Sequence, residues 1–375
     1  MEFTIERTIL SSALSQIARV ANNERATLPV TMNVAIVAQP DNRVSFTATN
    51  LATDLRVVLP AEVKTTGATT VSATHLDKWV AAVKGTSIKF RMTEKRLNLS
   101  AERANSWLAP IPIDEFPHVQ FGADVGPIAV IDSRELLSAI KQVLFSAATS
   151  DSRVALAAVY FDIQPGDDIT LVTVDGIRLS KRVVIGTMYG QAGLLMSRVA
   201  MVELERILSS MSGEVQILTD GKRVQFLAGD VSFAALVVDA PYVAYQQLLE
   251  GLELRTTIEA GRDDLITALK TTRIFATANE IPFVQLASDT SVIHVRAEGG
   301  EVGTSESEVE AVITGSPMDN HYNATLLIEA LGVLSGPRVR LLSNVRKNVV
   351  GEEEIVTPML FLEEDGYTHV LTPMV

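Results

Sequence analysis

Three stretches of this chain repeat one apolar pattern at helical spacing. ILSSALSQIARVA, ELLSAIKQVLFSA and DDLITALKTTRIFA each set a leucine three residues ahead of a central alanine: Leu10 before Ala13, Leu136 before Ala139, Leu265 before Ala268. Each also sets an aliphatic residue directly after it, Leu14, Ile140 and Leu269. Such offsets gather side chains on one face, so the pattern predicts three amphipathic helices. A second helical pattern returns later and runs to a glycine: LDKWVAAVKG to Gly85, LERILSSMSG to Gly213, LIEALGVLSG to Gly336. Its apolar positions are Leu76, Val80 and Val83, then Leu204, Leu208 and Met211, then Leu327, Leu331 and Leu334. Glycine accepts the left-handed conformation that closes helices, so each of these helices is expected to end at its glycine.

Beyond each glycine the period changes from 3.6 to 2, in TSIKFRM, EVQILTD and PRVRLLS, which predicts strands. Further alternating runs such as VSFTATN, LRVVLP, DITLVTV, LSKRVVI, VSFAALVV and MLFLEE fill the space between helices. Each third of the chain therefore reads as strand, helix, strands, helix, strands, an α+β arrangement with antiparallel sheets. The central alanines lie 139 − 13 = 126 and 268 − 139 = 129 residues apart, and the glycines 213 − 85 = 128 and 336 − 213 = 123 apart. That is the period of whole domains. It gives three similar domains, 1–126, 127–252 and 253–375, with boundaries near GADVGP and LEGLEL. The last alternating run passes into an almost uncharged tail, THVLTPMV. Chain ends usually fray in solvent unless something holds them. An apolar one is either buried or wanted by a partner.

Charge narrows the function. The net charge is −13, unevenly spread. Residues 1–126 carry 13 basic and 12 acidic side chains, residues 127–252 carry 10 and 14, and residues 253–375 carry 9 and 19. A protein that adheres to nucleic acid through a broad basic face does not have this balance. The N-terminus MEFTIERTIL lacks a basic start followed by an apolar block, and no apolar run approaches the ~18–20 residues of a membrane span. With no cysteine in the chain, disulfides and thiolate sites are excluded, and a cytoplasmic location is expected.

Catalytic constellations are missing. The five histidines, at 75, 118, 294, 321 and 369, form no HExxH and no close pair for a metal, and the glycine-rich phosphate loops and the GxSxG elbow are absent. Asp167-Asp168 follow Pro165-Gly166 and read as a hairpin turn. Residues 351–354, Gly-Glu-Glu-Glu, read as a charged loop. The expectation is a non-enzyme with no metal and no cofactor.

Several short motifs then converge on a family. FTIERTIL, LPVTMNVAI, FTATNLATDL and FPHV resemble the first domain of the bacterial DNA polymerase III β subunit. FSAATSDSRVAL and LVTVDGIRLS resemble its second domain, and VLTPMV its closing tail. The resemblance covers the whole chain and is most specific at TVDGIRL and the terminal Pro-Met. It implies a DNA clamp fold: a head-to-tail homodimeric ring of six similar domains around double-stranded DNA, helices lining the hole and sheets outside. A ring held by topology needs no tight, sequence-dependent grip, which fits the acidic balance. By position in the matched motifs, Arg25 and Arg153 would contact DNA, with Arg198, Lys141 and Lys270 placed there by helix location. Ile274 and Phe275 in RIFAT, facing Trp107 of SWLAPIP, would close the ring.

The family also implies partners: the polymerase III α and clamp-loader subunits, other polymerases and repair proteins, each bringing a short peptide with a glutamine followed by spaced leucine and phenylalanine. Carried over by motif, the receiving cleft comprises Leu156, Val174, Gly176, Ile177, Arg178 and Leu179, then Val243, Gln247 and Leu248, then Val356, Pro358, Val370, Thr372, Pro373 and Met374. The chain departs from its relatives at Ile177 (often His), Val174 (often Thr), Gln247 (often basic) and Thr372 (often Met). These changes make a greasier, less cationic cleft with an altered peptide preference. A clamp-like scaffold that binds partners without loading on DNA is the alternative reading.

Overall fold

The computed structural model describes residues 1–21, 28–122, 126–150, 153–166, 168–276, 281–350 and 353–374, with backbone alone for 345–350 and 353–358. The chain divides into two compact units. One comprises Met1–Leu137, Gln164–Asp167 and Gly186–Val238; the other comprises Ser138–Ile163, Asp168–Ile185 and Asp239–Val375.

In the first unit, helix α1 (Arg7–Ala21) buries Leu10, Ala13, Leu14 and Ile17. It packs against α2 (Ala73–Ala82), which buries Leu76 and Val80. A nine-stranded antiparallel sheet runs in the order Thr187–Met188, Ala129–Asp132, Glu214–Thr219, Arg223–Ala228, Val231–Leu236, Thr53–Pro60, Arg43–Thr49, Asn33–Ala38, Gly67–Ser72. Its centre is the pairing of Val231–Leu236 with Thr53–Pro60, residues almost two hundred positions apart. A five-stranded sheet places Glu2–Glu6 beside Ser87–Met92 and ends at the edge strand Ala104–Leu108. The predicted helix around Ala139 is α3 (Ser133–Leu144), of which residues up to Leu137 belong to this unit and those from Ser138 to the other; α4 (Arg198–Leu208) buries Leu204 and Leu208.

The second unit carries a sheet in the order Ala158–Ile163, Ile169–Val174, Arg178–Val184, Tyr367–Leu371, Glu353–Glu364, Arg338–Val350, Leu252–Gly261, Thr304–Gly315, Val292–Glu298, Phe283–Ser288, Asp319–Asn323. Helices α5 (Tyr245–Leu249), α6 (Arg262–Ala276) and α7 (Ala324–Gly332) accompany it. Leu265, Ala268 and Leu269 from α6 and Leu327 and Leu331 from α7 share a core with Ile258, Val284, Val295 and Leu341.

The glycines do not end the second helices. These helices stop at Ala82, Leu208 and Gly332. Val83 already turns extended (φ −74°, ψ 153°), while Ser209 and Ser210 return their hydroxyls to the last carbonyls, those of Arg206 and Ile207. Gly85 and Gly213 take φ +113° and +80° in the turn that launches the next strand. That turn has a repeated use: the amide of the first residue in each long helix donates to it, Arg7 to Thr86 O, Ser133 to Gly213 O and Arg262 to Pro337 O, all at 2.9 Å. The expected charged loop also shrinks. Glu353 and Glu354 start a strand, paired with Val350 and Val349, because the valine-rich run before them extends the hairpin.

Candidate partner-binding cleft

The cleft lies within the second unit and begins with a tight turn. Asp175 follows the strand Ile169–Val174, and its Oδ1 accepts the amides of Ile177 (3.1 Å) and Arg178 (3.0 Å). A short carboxylate closing its own turn in this way is the physical reason for Asp at that position. Gly176 takes φ +108°, open to glycine at little cost. The strand Arg178–Val184 then pairs with Tyr367–Leu371, setting Leu179 opposite Val370. The tail continues this contact, for the Thr372 amide donates to Ile177 O at 3.0 Å.

A cavity of about 210 Å³ opens here, lined by Val174, Gly176, Ile177, Arg178, Leu179, Leu248, Leu249, Met359, Val370 and Thr372. A neighbouring hollow of about 560 Å³, lined by Arg153, Val154, Ala155, Leu156, Ala240, Pro241 and Val243, shares Val174, Gly176 and Leu248 with it. Together they make one groove with mostly apolar walls. Ile177 stands 42% exposed at its rim.

Arg178 is not a free cation in this groove. Its Nε and Nη1 donate to Asp175 (2.8 Å) and Glu329 (2.6 Å), its Nη2 donates to Phe145 O (2.9 Å), and only 9% of the side chain is exposed. Behind it Ser146, Thr173, Ser180 and His369 form a buried hydroxyl–imidazole chain, with Ser180 Oγ 2.8 Å from His369 Nδ1. Burial, with Arg178 adding to it, pushes the imidazole down from its usual 6.5 to about 3, so it is neutral. The opposite wall is anchored by tyrosines. Tyr245 donates to the buried Asp162 at 2.7 Å, and Tyr160 stacks on Tyr242 at 4.7 Å.

Ten of the residues expected in the cleft line these two hollows. Gln247 lies exposed on α5 beside them, and the side chains of Val356 and Pro358 fall outside the described residues. Pro373 and Met374 are half-buried, and the Met374 amide donates to His321 O at 2.8 Å. Sequence reading missed Leu249, Met359 and the tyrosine anchor. A longer scan of PYVAYQQLL at helical spacing would have found Leu249. Nothing local marks Met359.

Of the expected DNA-contacting residues, Arg25 lies outside the described residues. Arg153 is exposed and lines the larger hollow; Lys141 on α3 and Lys270 on α6 are exposed; Arg198 opens α4 half-buried. Among the residues expected to close the ring, Trp107 is 50% exposed on an edge strand with Arg96 stacked on it at 4.3 Å. Ile274 is 68% exposed, whereas Phe275 packs partly onto the core. Exposed Val302, which sequence reading did not single out, lies in the turn Gly300–Val302, whose flanking Gly299 and Gly303 sit beside Phe275. The expected turn keeps Gly166 at φ +79°, with Asp167 outside the described residues. His294, Glu306 and Glu308 gather their ligand atoms within 4.8 Å. Arg296 pairs with Glu306 at 2.7 Å, and Asp289 Oδ2 lies 3.3 Å from His294 Nε2.

Repeated α+β modules and an open groove with mostly apolar walls are the features of a binding scaffold. Comparison with known proteins makes this specific. The chain belongs to the DNA polymerase III beta subunit family: the model of its N-terminal domain matches residues 1–120 and that of its central domain residues 130–243. The beta sliding clamp of Pseudomonas aeruginosa is 27% identical over 382 residues, covering 100% of both chains. A solved sliding clamp from the same organism, bound to griselimycin, superposes with a TM-score of 0.89 at 24% identity, covering 100% of this chain and 99% of that one. The beta subunit of Streptococcus pyogenes superposes at 0.90 with 19% identity, covering 100% of each. No helix among the described residues is long and apolar enough to cross a membrane.

Proposed function

We propose that two copies of this chain close head to tail around duplex DNA as a sliding clamp, each copy divided into domains 1–126, 127–252 and 253–375. The ring tethers the replicative polymerase and other partners through the groove at Val174, Gly176, Leu179, Leu248 and Val370. The observation that carries this reading is that groove: apolar walls on a rigid sheet, the kind of pocket in which a few side chains of a short peptide supply most of the binding energy. Trp107 and Ile274 serve closure. Lys141, Lys270, Arg153, Arg198 and Arg25 serve sequence-independent phosphate contact.

Two measurements test it. With a clamp loader and ATP, the protein is retained on nicked circular DNA and lost when the circle is cut; equal loss from both overturns the clamp reading. A labelled peptide with glutamine followed by spaced leucine and phenylalanine binds wild type but not Leu248→Glu. The excess of acid in residues 253–375 (19 acidic, 9 basic) favours a second reading, a partner-binding scaffold that never loads. Peptide binding without retention on circles would establish it.

A further inference from the structure

The turn that opens the cleft occurs a second time, in the first unit. Asn50 closes the turn between Arg43–Thr49 and Thr53–Pro60 as Asp175 closes its own: Asn50 Oδ1 accepts the amides of Ala52 (3.0 Å) and Thr53 (2.7 Å). Leu51 stands where Gly176 stands and also takes a left-handed backbone, φ +73°, uncommon for leucine. Thr49 pairs with Asp54 as Val174 pairs with Leu179. Asp54 pairs with Ala234 as Leu179 pairs with Val370. The Leu236 amide donates to Ala52 O at 2.9 Å, matching the Thr372 amide on Ile177 O at 3.0 Å.

This register sets residue against residue. The cleft's apolar floor of Val174, Leu179 and Met359 corresponds to Thr49, Asp54 and Arg223. In place of a greasy floor, these three form one polar cluster, with Thr49 and Asp54 buried and Arg223 partly exposed. Thr49 Oγ1 donates to Asp54 Oδ1 at 2.5 Å, Arg223 pairs with Asp54 Oδ2, and Asp54 is 2% exposed. The rim is nevertheless apolar, with Leu51 and Leu236 exposed at 44% and 45%.

We infer that the Thr49–Asp54–Arg223 cluster is a plug that holds this repeated scaffold closed to peptides, so that each chain offers one peptide site. The physical reason is that a peptide leucine or phenylalanine entering there must displace or strip water from a paired carboxylate and guanidinium. Breaking such a pair strands a buried charge, which outweighs what burial of one apolar side chain returns. Valency is thereby set by three side chains and not by backbone.

The inference rests on the cleft reading and is tested beside it, by isothermal titration with the same peptide on full-length protein. Wild type is expected to bind one peptide per chain. Thr49→Val/Asp54→Leu/Arg223→Met, which installs the cleft's own floor and removes both members of the Asp54–Arg223 pair, is expected to bind two. The second site is expected to survive addition of Leu248→Glu. The reverse transplant, Val174→Thr/Leu179→Asp/Met359→Arg, is expected to bind none, with circular dichroism showing that both variants keep the wild-type fold. A wild type that binds two peptides, or a folded forward variant that still binds one, overturns the plug and leaves the cleft reading standing. A wild type that binds none overturns both. If either transplant fails to fold, the paired variant Asp54→Leu/Arg223→Met decides by the same stoichiometry.

Discussion

Thr372 holds Ile177 twice: its hydroxyl donates to the Ile177 carbonyl at 2.9 Å while its amide donates to the same oxygen at 3.0 Å. The tail is thereby stitched to the cleft's turn by a bond that a methionine at this position cannot make. A neutral hydrogen bond contributes about 1 kcal/mol net, roughly a fivefold shift in a local opening equilibrium. Thr372→Val is therefore expected to exchange its tail amides about five times faster by hydrogen-exchange mass spectrometry. Thr372→Ser is expected to restore protection. Equal rates in all three proteins would show that the hydroxyl holds nothing.

The tyrosine wall has its own test. Tyr245→Phe removes the hydroxyl that donates to Asp162, a carboxylate only 8% exposed. Losing a donor to a buried charged acceptor costs about 2 kcal/mol. Urea denaturation is expected to show that loss with an unchanged slope, and peptide affinity is expected to fall with it, because α5 carries Leu248 and Leu249.

His369 predicts a pH dependence whose sign is fixed by burial. In the unfolded chain the imidazole takes its proton near pH 6.5, in the folded one near 3. Below 6.5 the unfolded state therefore binds more protons, so stability falls as pH falls, and the decline levels off near 3. The slope approaches about 1.4 kcal/mol per pH unit. Urea midpoints are expected to show wild type losing about 2 kcal/mol more than His369→Gln between pH 6.5 and 5. Parallel curves would assign the acid sensitivity elsewhere.

The proposed ring closure is expected to separate from folding at Ile274. Replacing a side chain that is 68% exposed with aspartate is expected to change the unfolding free energy by less than about 0.5 kcal/mol. The same charge set into an apolar contact between copies is expected to move the light-scattering mass from dimer to monomer. A dimer that survives both Ile274→Asp and Trp107→Asp would place the interface elsewhere.

Much of this fold is written in local pattern. The alanines at 13, 139 and 268 mark three helices because helical amphipathicity lies within a dozen residues, and the alternation in LSKRVVI or MLFLEE marks strands for the same reason. What local pattern leaves open is which strand lies beside which. Nothing near Asp54 names Arg223 as its partner, 169 residues on, and nothing in THVL says that its histidine will be sealed behind Ser180. Both follow from strand pairing between distant segments, Thr53–Pro60 with Val231–Leu236 and Arg178–Val184 with Tyr367–Leu371. The stops expected at Gly85 and Gly213 were misplaced because an extended valine and serine hydroxyls, respectively, ended those helices first. The groove residues themselves were legible only through motif resemblance, since Val174 and Leu179 taken alone are ordinary strand residues.

One wall of the groove is the strand Tyr367–Leu371 with Thr372 after it, added to segments made far earlier. A ribosome that has not reached residue 370 has built the turn at Asp175 and the tyrosine anchor, but no groove. In the proposed reading, a nascent or prematurely stopped chain lacks Val370 and Thr372 and therefore offers a partner peptide no complete site.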